Sequence, residues 1–168
     1  EGGRVTKLIE KPSSLEHNLA VIGVYYIRDS QWLMRAIEEL IARDIKTQGE
    51  YFLADALQLM IDQGAQLAAR RLEVWEDCGK PETVLHTNRY LLDNGHSRVG
   101  PTENSIVIPP VYIAPTARVI NSIVGPYITI ADEGVIEDSI VRDSIIDERA
   151  HIEGAILSGS LIGRDARV

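Results

Sequence analysis

A repeat of about sixteen residues over Asn104–Val168 constrains the fold of this chain more than any other feature. The segment divides into four rows, with Ile120 left over between the first two. The rows are NSIVIPPVYIAPTARV, NSIVGPYITIADEGVI, EDSIVRDSIIDERAHI and EGAILSGSLIGRDARV. Three of the columns are purely aliphatic, and a fourth contains only alanine or glycine. Repeats that stay in phase indicate one structural unit that stacks on copies of itself.

The aliphatic columns predict a three-sided coil with one inward side chain on each side. Their spacing of six, six and four residues is not that of a helix, and β-branched residues dominate, which favours short strands. The predicted inward residues are Val107, Val124, Ile140 and Ile156 in the fourth column, Ile113, Ile130, Ile146 and Ile162 in the tenth, and Val119, Ile136, Ile152 and Val168 in the sixteenth. The small residues predict a tight corner at Ala117, Gly134, Ala150 and Ala166.

This pattern resembles the hexapeptide-repeat family of left-handed parallel β-helices. The resemblance covers Asn104–Val168, 65 of the 168 residues. It implies the left hand, since the period by itself shows only a three-sided coil. It also implies self-association, and we expect a homo-oligomer, with a trimer favoured, formed through the coil.

The composition narrows the class of protein. The formal net charge is −8 with no basic stripe, so nucleic acid and anionic membranes are poor partners. One cysteine, Cys78, excludes an internal disulfide and fits a reducing compartment, for which we expect the cytoplasm. The chain has no signal peptide and no apolar run of membrane-spanning length. It begins Glu-Gly-Gly without Met, and we expect it to be a fragment of a longer enzyme.

Residues 1–97 have the pattern of an α/β domain. The predicted elements are strands at Val5–Ile9 and Ala20–Ile27, the second of them buried, a helix at 31–43 capped by Asp29 or Ser30, a helix ending at Gly64, an extended segment at Leu67–Trp75, and a helix from Pro81 to a stop at Asn94-Gly95. These strands are too few for a complete sheet. We therefore expect 1–97 to be the C-terminal part of an α/β domain and 98–168 to be a linker and coil.

The strongest candidate for chemistry is Asp77, in the turn between the extended segment and the helix that starts at Pro81. Ligands of open α/β sheets gather at the carboxyl ends of strands. A carboxylate there suits magnesium, a hard cation that leaves room for phosphate and water. The alternative is that Asp77 only caps the following helix, and spacing alone favours the cap.

A second candidate is Glu10-Lys11-Pro12, where Pro12 ends the first strand. Glu10 there could accept hydrogen bonds from sugar hydroxyls, and Lys11 could neutralise a phosphate. The alternative is a solvated turn with a weak surface ion pair. Gly23, inside the second apolar run, indicates a place where another group approaches the backbone closely.

Together these motifs resemble the sugar-1-phosphate nucleotidyltransferase family, over nearly the whole chain. The landmarks, in family order, are Glu10-Lys11-Pro12, Ile22-Gly23-Val24-Tyr25, the stretch from Gly49 to Ala56, Trp75-x-Asp77-x-Gly79-Lys80-Pro81-Glu82, Asn88-Arg89 and the coil. The Trp75–Glu82 stretch and the coil are most similar to the long-form glucose-1-phosphate thymidylyltransferases, although Cys78 stands where that branch more often has Thr. The implied fold is part of a Rossmann-like nucleotidyltransferase domain followed by a left-handed β-helix.

The resemblance implies a role for each matched position. Glu10 binds sugar hydroxyls and Lys11 the sugar phosphate, Gly23 and Tyr25 line the sugar pocket, and Asp77 binds Mg²⁺ with Trp75 beside it. Lys11 and Asp77 are the expected catalytic residues. The implied substrates are a sugar 1-phosphate, with glucose favoured, and a nucleoside triphosphate, dTTP or UTP. The chain contains no glycine-rich phosphate loop, so we expect it to be inactive alone.

Two other classes of function stay open on the sequence. The first is a hexapeptide-repeat acyltransferase, or a bifunctional enzyme, in which a coil histidine acts as general base. His151 is the candidate, but its position next to inward Ile152 predicts that it points outward. The other histidines, His17, His86 and His96, are expected to be solvated and without a partner. The second class is a non-catalytic assembly module.

Overall fold

A computed structural model describes residues 3–10 and 19–168 of the chain. The chain forms two compact units, Glu1–Trp75 and Glu76–Val168. Within the described part, no helix has both the length and the apolar character needed to cross a bilayer.

Two amphipathic helices form the core of the first unit. Helix α1 is Ser30–Ala42 and helix α2 is Leu53–Asp62. The Asp29 carboxylate caps α1 by accepting a 2.9 Å hydrogen bond from the Trp32 N–H. The buried apolar residues of the pair are Ala36, Leu40, Ala56, Leu57 and Met60, and Ala65, just after α2, joins their cluster. Both predicted helices and the predicted cap are therefore confirmed within a residue or two.

The strands of the first unit are shorter than predicted. Strands β1, Arg4–Val5, and β2, Leu67–Ala68, form an antiparallel pair. The predicted buried strand at Ala20–Ile27 is wrong, because this segment has no strand structure and its Tyr26 is 89% exposed. A strand needs a hydrogen-bonded neighbour, and none of the described residues supplies one to this segment.

The second unit begins with helix α3, Pro81–Leu91, which continues through a π-helical turn at Leu92–His96. Pro81 occupies the first helical position, as predicted. Gly95 adopts a φ of +94°, which ends the helix where the Asn94-Gly95 pair predicts. The predicted domain boundary at residue 97 stays a prediction, although α3 lies in the same compact unit as the coil.

The coil is a parallel-strand β-solenoid of about four turns, consistent with a left-handed β-helix. Its strands are β3 Thr102–Glu103, β4 Ile106–Val107, β5 Val111–Ile113, β6 Arg118–Ile120, β7 Ile123–Val124, β8 Ile128–Ile130, β9 Val135–Glu137, β10 Ile140–Arg142, β11 Ser144–Ile146, β12 His151–Glu153, β13 Ile156–Ser158 and β14 Leu161–Ile162. They form three parallel sheets, ordered β4-β7-β10-β13, β5-β8-β11-β14 and β3-β6-β9-β12.

Two of the three predicted inward columns fill the coil interior, except at Val168 of the last row, which is 50% exposed. Ile113, Ile130 and Ile146 are paired in register and fully buried, as are Ile136 and Ile152 of the sixteenth column. The small column forms a tight corner, in which Ala117 and Ala150 are buried. At Gly134 even a Cβ would lie 2.9 Å from the Cγ2 of inward Ile130. These columns confirm the three-sided coil.

The fourth column is wrong in the third and fourth rows. Val141 is fully buried and pairs with inward Val124, whereas the predicted Ile140 is 43% exposed and the predicted Ile156 is 80% exposed. In the last row Leu157 packs against the core in place of Ile156. The interior column is therefore Val107, Val124, Val141 and Leu157.

The error has a definite location. The first two turns of the coil are one residue longer than the later ones, on the side that contains Pro110 and Pro126. Ile113 follows Val107 by six residues, whereas Ile146 follows Val141 by five. The turns begin at a corner with positive φ, occupied by Asn104, Asn121, Asp138 and Gly154. Asparagine, aspartate and glycine tolerate this conformation best, so they set the frame of each turn.

A serine ladder follows that corner. Ser122 and Ser139 are buried, and the Ser139 N–H donates to the Ser122 Oγ at 3.1 Å. The Ser122 hydroxyl in turn donates to the Ile120 carbonyl oxygen at 2.6 Å. The same pattern begins at Ser105 and ends at the N–H of Ala155. The ladder satisfies polar groups inside the coil and joins successive turns.

Candidate functional site

Asp77 lies in a tight turn just before helix α3. Its Oδ1 accepts a 3.0 Å hydrogen bond from the Gly79 N–H. The prediction that Asp77 caps α3 is wrong, because the N-cap is Lys80. The Lys80 N–H donates to the Thr83 Oγ at 3.1 Å, and the Thr83 hydroxyl donates to the Lys80 carbonyl at 2.9 Å. Thr83 takes the local capping role, which leaves the aspartate for another purpose.

The Asp77 carboxylate fits a single ligand to a hard cation. It is exposed, and its Oδ2 accepts no hydrogen bond from any described residue. The described residues contain no group of three or more His, Cys, Asp or Glu side chains that could hold a metal. Asp77 could therefore contribute one oxygen to a cation whose other ligands are phosphate, water or further protein groups.

Two side-chain contacts hold the Asp77 turn against the N-terminal part of α3. The Cys78 thiol donates a weak hydrogen bond to the Thr87 Oγ at 3.5 Å. The His86 Nε2 lies 3.5 Å from the Glu76 carboxylate, so the prediction that this histidine has no partner is wrong. These contacts come from both sides of Asp77 and restrict where its carboxylate can move.

Helix α3 is fastened to the coil by two neighbouring residues. Arg89 forms a bidentate pair with Asp143, and its Nε lies 2.6 Å from the Oδ1. Asn88 is buried; it accepts a 2.6 Å hydrogen bond from the Thr129 hydroxyl and donates to the Tyr127 carbonyl at 3.3 Å. The hydrogen bonds that Arg89 donates to the Asp143 carboxylate raise the pKa of the guanidinium above its ordinary value.

The sequence did not predict this attachment, since Asn88-Arg89 was only a family landmark there. Arg89 and its carboxylate partner are 54 residues apart, and neither belongs to an inward column of the coil. The only signal was that Asp143 stands where the repeat is one residue shorter than in the rows above. The hydrogen bonds of Asn88 and the Arg89–Asp143 pair therefore attach α3 to the coil, and α3 in turn leads to the Asp77 turn.

The candidate sugar-binding residues lie in the first unit. Glu10 is half-buried, Tyr25 is exposed, and Trp75, the last residue of that unit, is 61% exposed. Gly23 has a φ of +81°, and no described atom lies within 4 Å of the place where a Cβ would stand, so its backbone conformation explains the glycine. No hydrogen bond joins these residues within the described part of the chain. Lys11 lies outside the described residues.

A polar cluster at the loop between α1 and α2 also has no counterpart in the sequence-based predictions. The Lys46 ammonium lies 2.6 Å from the Asp44 carboxylate and 4.9 Å from the centre of the Tyr51 ring, and the Tyr51 hydroxyl donates to the same carboxylate. The Lys46 hydrogen bond, followed by that of Tyr51, holds the pKa of Asp44 below its ordinary value. Tyr51 belongs to the Gly49–Ala56 landmark, which is thus joined to the end of α1.

His151 lies on the outer side of β12, as predicted, and is half-buried. Its Nε2 has no hydrogen bond among the described residues and lies 3.9 Å from the nearest carboxylate oxygen, of Glu153. A general base is normally oriented by a hydrogen bond of about 2.6–3.2 Å. This geometry gives no support to an acyl-transfer site at His151.

Comparison with known proteins identifies the first part of the chain. Residues 1–94 match the family model described as "Nucleotidyl transferase". This match covers more than half of the 168 residues and includes the candidate sugar-binding residues, the Asp77 turn and α3.

Several curated proteins are similar over the whole chain. A glucose-1-phosphate thymidylyltransferase of Streptomyces griseus is 32% identical over 190 residues, which cover 100% of this chain and 52% of that protein. A glucose-1-phosphate adenylyltransferase of Bacillus cereus is 28% identical over 176 residues, or 96% of this chain and 44% of that protein. The low-salt glycan biosynthesis nucleotidyltransferase Agl11 of Haloferax volcanii is 38% identical over 93 residues, or 55% of this chain and 25% of that protein. The chain spans about half the length of the relatives that it matches throughout.

Proposed function

The chain belongs to the nucleotidyl transferase family, and from this we propose that it is the sugar-binding and metal-binding part of a sugar-1-phosphate nucleotidyltransferase. The observation that carries the proposal is the Asp77 turn, in which the second carboxylate oxygen accepts no hydrogen bond from a described residue while the turn is held to α3. The sequence contains no glycine-rich phosphate loop, which implies that this chain alone does not catalyse nucleotidyl transfer.

The proposed reaction is a single displacement at phosphorus. An oxygen of the sugar phosphate attacks the α-phosphorus of the nucleoside triphosphate, the bond from that phosphorus to the oxygen bridging to the β-phosphate breaks, and pyrophosphate leaves. No covalent enzyme intermediate is needed, so positioning and charge neutralisation supply the catalysis. Bound Mg²⁺ would stabilise the negative charge that builds up on the phosphates.

Each residue has a proposed role in this step. Asp77 provides an oxygen ligand to Mg²⁺, and Lys11 neutralises the sugar phosphate. Glu10 accepts hydrogen bonds from the sugar hydroxyls, while the glycine backbone at 23 and the exposed rings of Tyr25 and Trp75 form walls for the sugar. Exposed aromatic rings next to carboxylates suit sugars, which have apolar faces and hydroxyl edges.

Glucose 1-phosphate is the proposed sugar substrate, because the relatives that match nearly all of this chain carry that sugar in their names. The proposed nucleotide is dTTP, with UTP as the alternative. The relatives named for thymidylyl transfer are 31–32% identical over the whole chain, compared with 27–28% for those named for adenylyl transfer.

Two further properties are proposed. The single cysteine and the nucleotide substrate fit the cytoplasm. The coil is proposed to join copies of the protein into a homo-oligomer, a trimer by the resemblance of its repeat to other coils of this kind. Repetitive coils with a flat side are suited to symmetric contacts.

The metal role is tested with Mn²⁺, which occupies Mg²⁺ sites and broadens nearby NMR signals. Titration of the chain in the presence of glucose 1-phosphate is expected to broaden the amide signals of Asp77 and Gly79 first. Asp77→Asn should abolish that broadening, because it removes the charge and keeps the shape. Asp165→Asn, in an exposed carboxylate of the coil, serves as the matched control and should leave it unchanged.

The reaction itself is tested by pyrophosphate release with glucose 1-phosphate, Mg²⁺ and, in separate reactions, dTTP, UTP or ATP. No release is expected from this chain alone. Pyrophosphate release by the purified chain would show that it contains a complete active site. This would contradict the proposal that it is only the sugar-binding and metal-binding part. Broadening by Mn²⁺ that is equal in wild type and Asp77→Asn would contradict the metal role.

A further inference from the structure

The glycine at position 79 is not explained by a left-handed backbone. Gly79 lies in the bend just before the N-cap Lys80 and is not among the glycines with positive φ, the conformation that other residues rarely adopt. Glycine loses more conformational entropy on folding than any other residue, so a glycine without such a φ needs another reason. The constraint therefore lies in what a side chain at position 79 would touch.

A Cβ at position 79 would lie against the carboxylate of Asp77. It would be 3.2 Å from the Oδ1, 3.6 Å from the Oδ2 and 3.8 Å from the Cγ of that side chain. Non-bonded carbon atoms are ordinarily about 3.5–4.0 Å apart, so the carboxylate would have to move by a few tenths of an ångström. Among the described glycines, Gly79 is the one whose Cβ would meet a charged side chain.

The backbone of Gly79 also binds this carboxylate. Its N–H donates the 3.0 Å hydrogen bond to the Asp77 Oδ1, and among the described contacts this is the only hydrogen bond of the Asp77 side chain. The contact between Cys78 and Thr87 and the bonds between Lys80 and Thr83 hold the flanking residues without reaching the carboxylate. Within the described turn, the orientation of the carboxylate therefore depends on Gly79.

We propose that Gly79 is the positioning residue of the Asp77 carboxylate. Its N–H fixes one oxygen, and its missing Cβ leaves the space in which the carboxylate keeps the orientation that binds a divalent cation. The second part rests on the proposed function, which makes that cation Mg²⁺, whereas the orientation of the carboxylate is a property of the chain without metal.

The demands of Mg²⁺ make a small displacement matter. This cation requires nearly ideal octahedral geometry, with oxygen ligands at about 2.0–2.1 Å. Groups that orient a metal ligand through a hydrogen bond typically change metal affinity by about ten- to a hundredfold when they are altered. Gly79→Ala keeps the N–H and adds only the Cβ, so we expect an effect at the lower end of this range.

The first test measures the χ1 rotamer of Asp77 in the absence of metal, by NMR three-bond couplings from its Hβ protons to the backbone N and C′. The wild type is expected to show one rotamer, and Gly79→Ala a different rotamer or an average of several. Gly163→Ala is the matched control, because Gly163 also lacks a positive φ and has no atom within 4 Å of its missing Cβ. It should leave the Asp77 couplings unchanged.

The second test is the Mn²⁺ titration with glucose 1-phosphate. Gly79→Ala should raise the Mn²⁺ concentration that half-broadens the Asp77 amide signal by about tenfold, while leaving the urea midpoint of the second unit nearly unchanged. Val141→Thr, at a fully buried position of the coil in the same unit, separates positioning from stability. It should lower the urea midpoint without changing the Mn²⁺ concentration at half-broadening.

The two tests fail in different ways. Averaged couplings at Asp77 in the wild type, or couplings that are the same in the wild type and Gly79→Ala, would overturn the positioning role. Equal Mn²⁺ midpoints in a wild type and a Gly79→Ala variant that both show broadening would also overturn it. If Mn²⁺ does not broaden the wild-type signal at Asp77, the proposed metal role fails, and the couplings without metal decide the role of Gly79 by themselves.

Discussion

The register of the coil interior can be tested by placing threonine at two adjacent positions of β10. Val141→Thr and Ile140→Thr both introduce the same β-branched residue, so the strand preference of the new side chain is equal in the two variants. Val141 is fully buried, whereas the side chain of Ile140 is on the outer face. The structure predicts that the two substitutions differ strongly in their effect on stability.

The magnitude follows from what each threonine loses or gains. Valine and threonine have nearly the same shape, so Val141→Thr leaves no cavity but buries a hydroxyl among the apolar side chains of Val124 and Leu157. An unpaired buried hydroxyl costs about 1–3 kcal/mol. At position 140 the hydroxyl reaches water, and the loss of partly buried carbons costs less than about 1 kcal/mol.

The measurement is urea denaturation of the chain followed by two signals. Both tryptophans, Trp32 and Trp75, lie in the first unit, so their fluorescence reports that unit, whereas the β signal in far-UV circular dichroism comes chiefly from the coil. With a urea slope of about 2 kcal/mol per molar, the coil transition of Val141→Thr should move down by about 1 M. The fluorescence transition should not move in either variant.

The opposite ranking would refute the structure-based register. The repeat read in rows of sixteen places Ile140 inside and Val141 outside, and it therefore predicts that Ile140→Thr is the damaging change. A second pair checks the last turn, where Leu157→Thr should destabilise the coil more than Ile156→Thr. Equal losses within either pair would mean that neither register describes that turn.

Three more predictions concern the polar contacts. A double-mutant cycle with Arg89→Gln and Asp143→Asn should give a coupling of about 1 kcal/mol, since the pair is bidentate but partly exposed; additive losses would contradict the contact. Asn88→Leu should destabilise the second unit by about 1–3 kcal/mol in urea, because the Thr129 hydroxyl loses its hydrogen-bond partner; an unchanged stability would contradict this. The pKa of Asp44 should lie below its ordinary value near 3.8 in a ¹³C NMR titration and rise in Lys46→Gln. Because the folded pKa is the lower one, this contact stabilises the fold above pH 3.8 and loses its effect as the pH falls through the folded pKa; a titration unchanged by Lys46→Gln would contradict the assignment.

Local signals were enough to predict the helices and two thirds of the coil interior. Asp29 and Pro81 each mark the start of a helix through backbone chemistry that acts within one turn. The tenth column is isoleucine in each of its four rows, and a shift of one residue toward the N-terminus would place the polar side chains of Tyr112 and Thr129 inside in the first two rows. The fourth column lacked that protection, because Ile140 and Val141 are both β-branched aliphatic residues and either could face inward.

The signal that settles the fourth column was present in the sequence. Asn-Ser-Ile-Val occurs twice, and Asp138-Ser-Ile-Val repeats it with an aspartate at the corner that needs a positive φ. Aligning the serines puts Val141 inside and also reveals the serine ladder.

The failed strand at Ala20–Ile27 has a different cause. Its apolar composition is that of a strand, but a strand forms only with a partner, and a local pattern carries no information about which segments pair.

The candidate site shows the same division between local and long-range information. The Asp77 turn is recognisable from its motif, but its separation from the helix cap depends on Thr83, which bonds to the backbone of Lys80 in its place. The attachment of α3 to the coil joins residues far apart in the chain and has no periodic signature. Such contacts were beyond the reach of spacing arguments, which detect only neighbours along one element.

The attachment of α3 changes what the coil contributes to the proposed enzyme. From the repeat alone, the coil is an assembly device with no connection to chemistry. In the structure, the polar side chains of Asn88 and Arg89 join it to the helix that begins four residues after Asp77. A helix is stiff along its axis, so a displacement of the coil against α3 is transmitted to the turn that holds this carboxylate. The position of the proposed metal ligand is therefore tied to the coil through hydrogen bonds and a rigid helix.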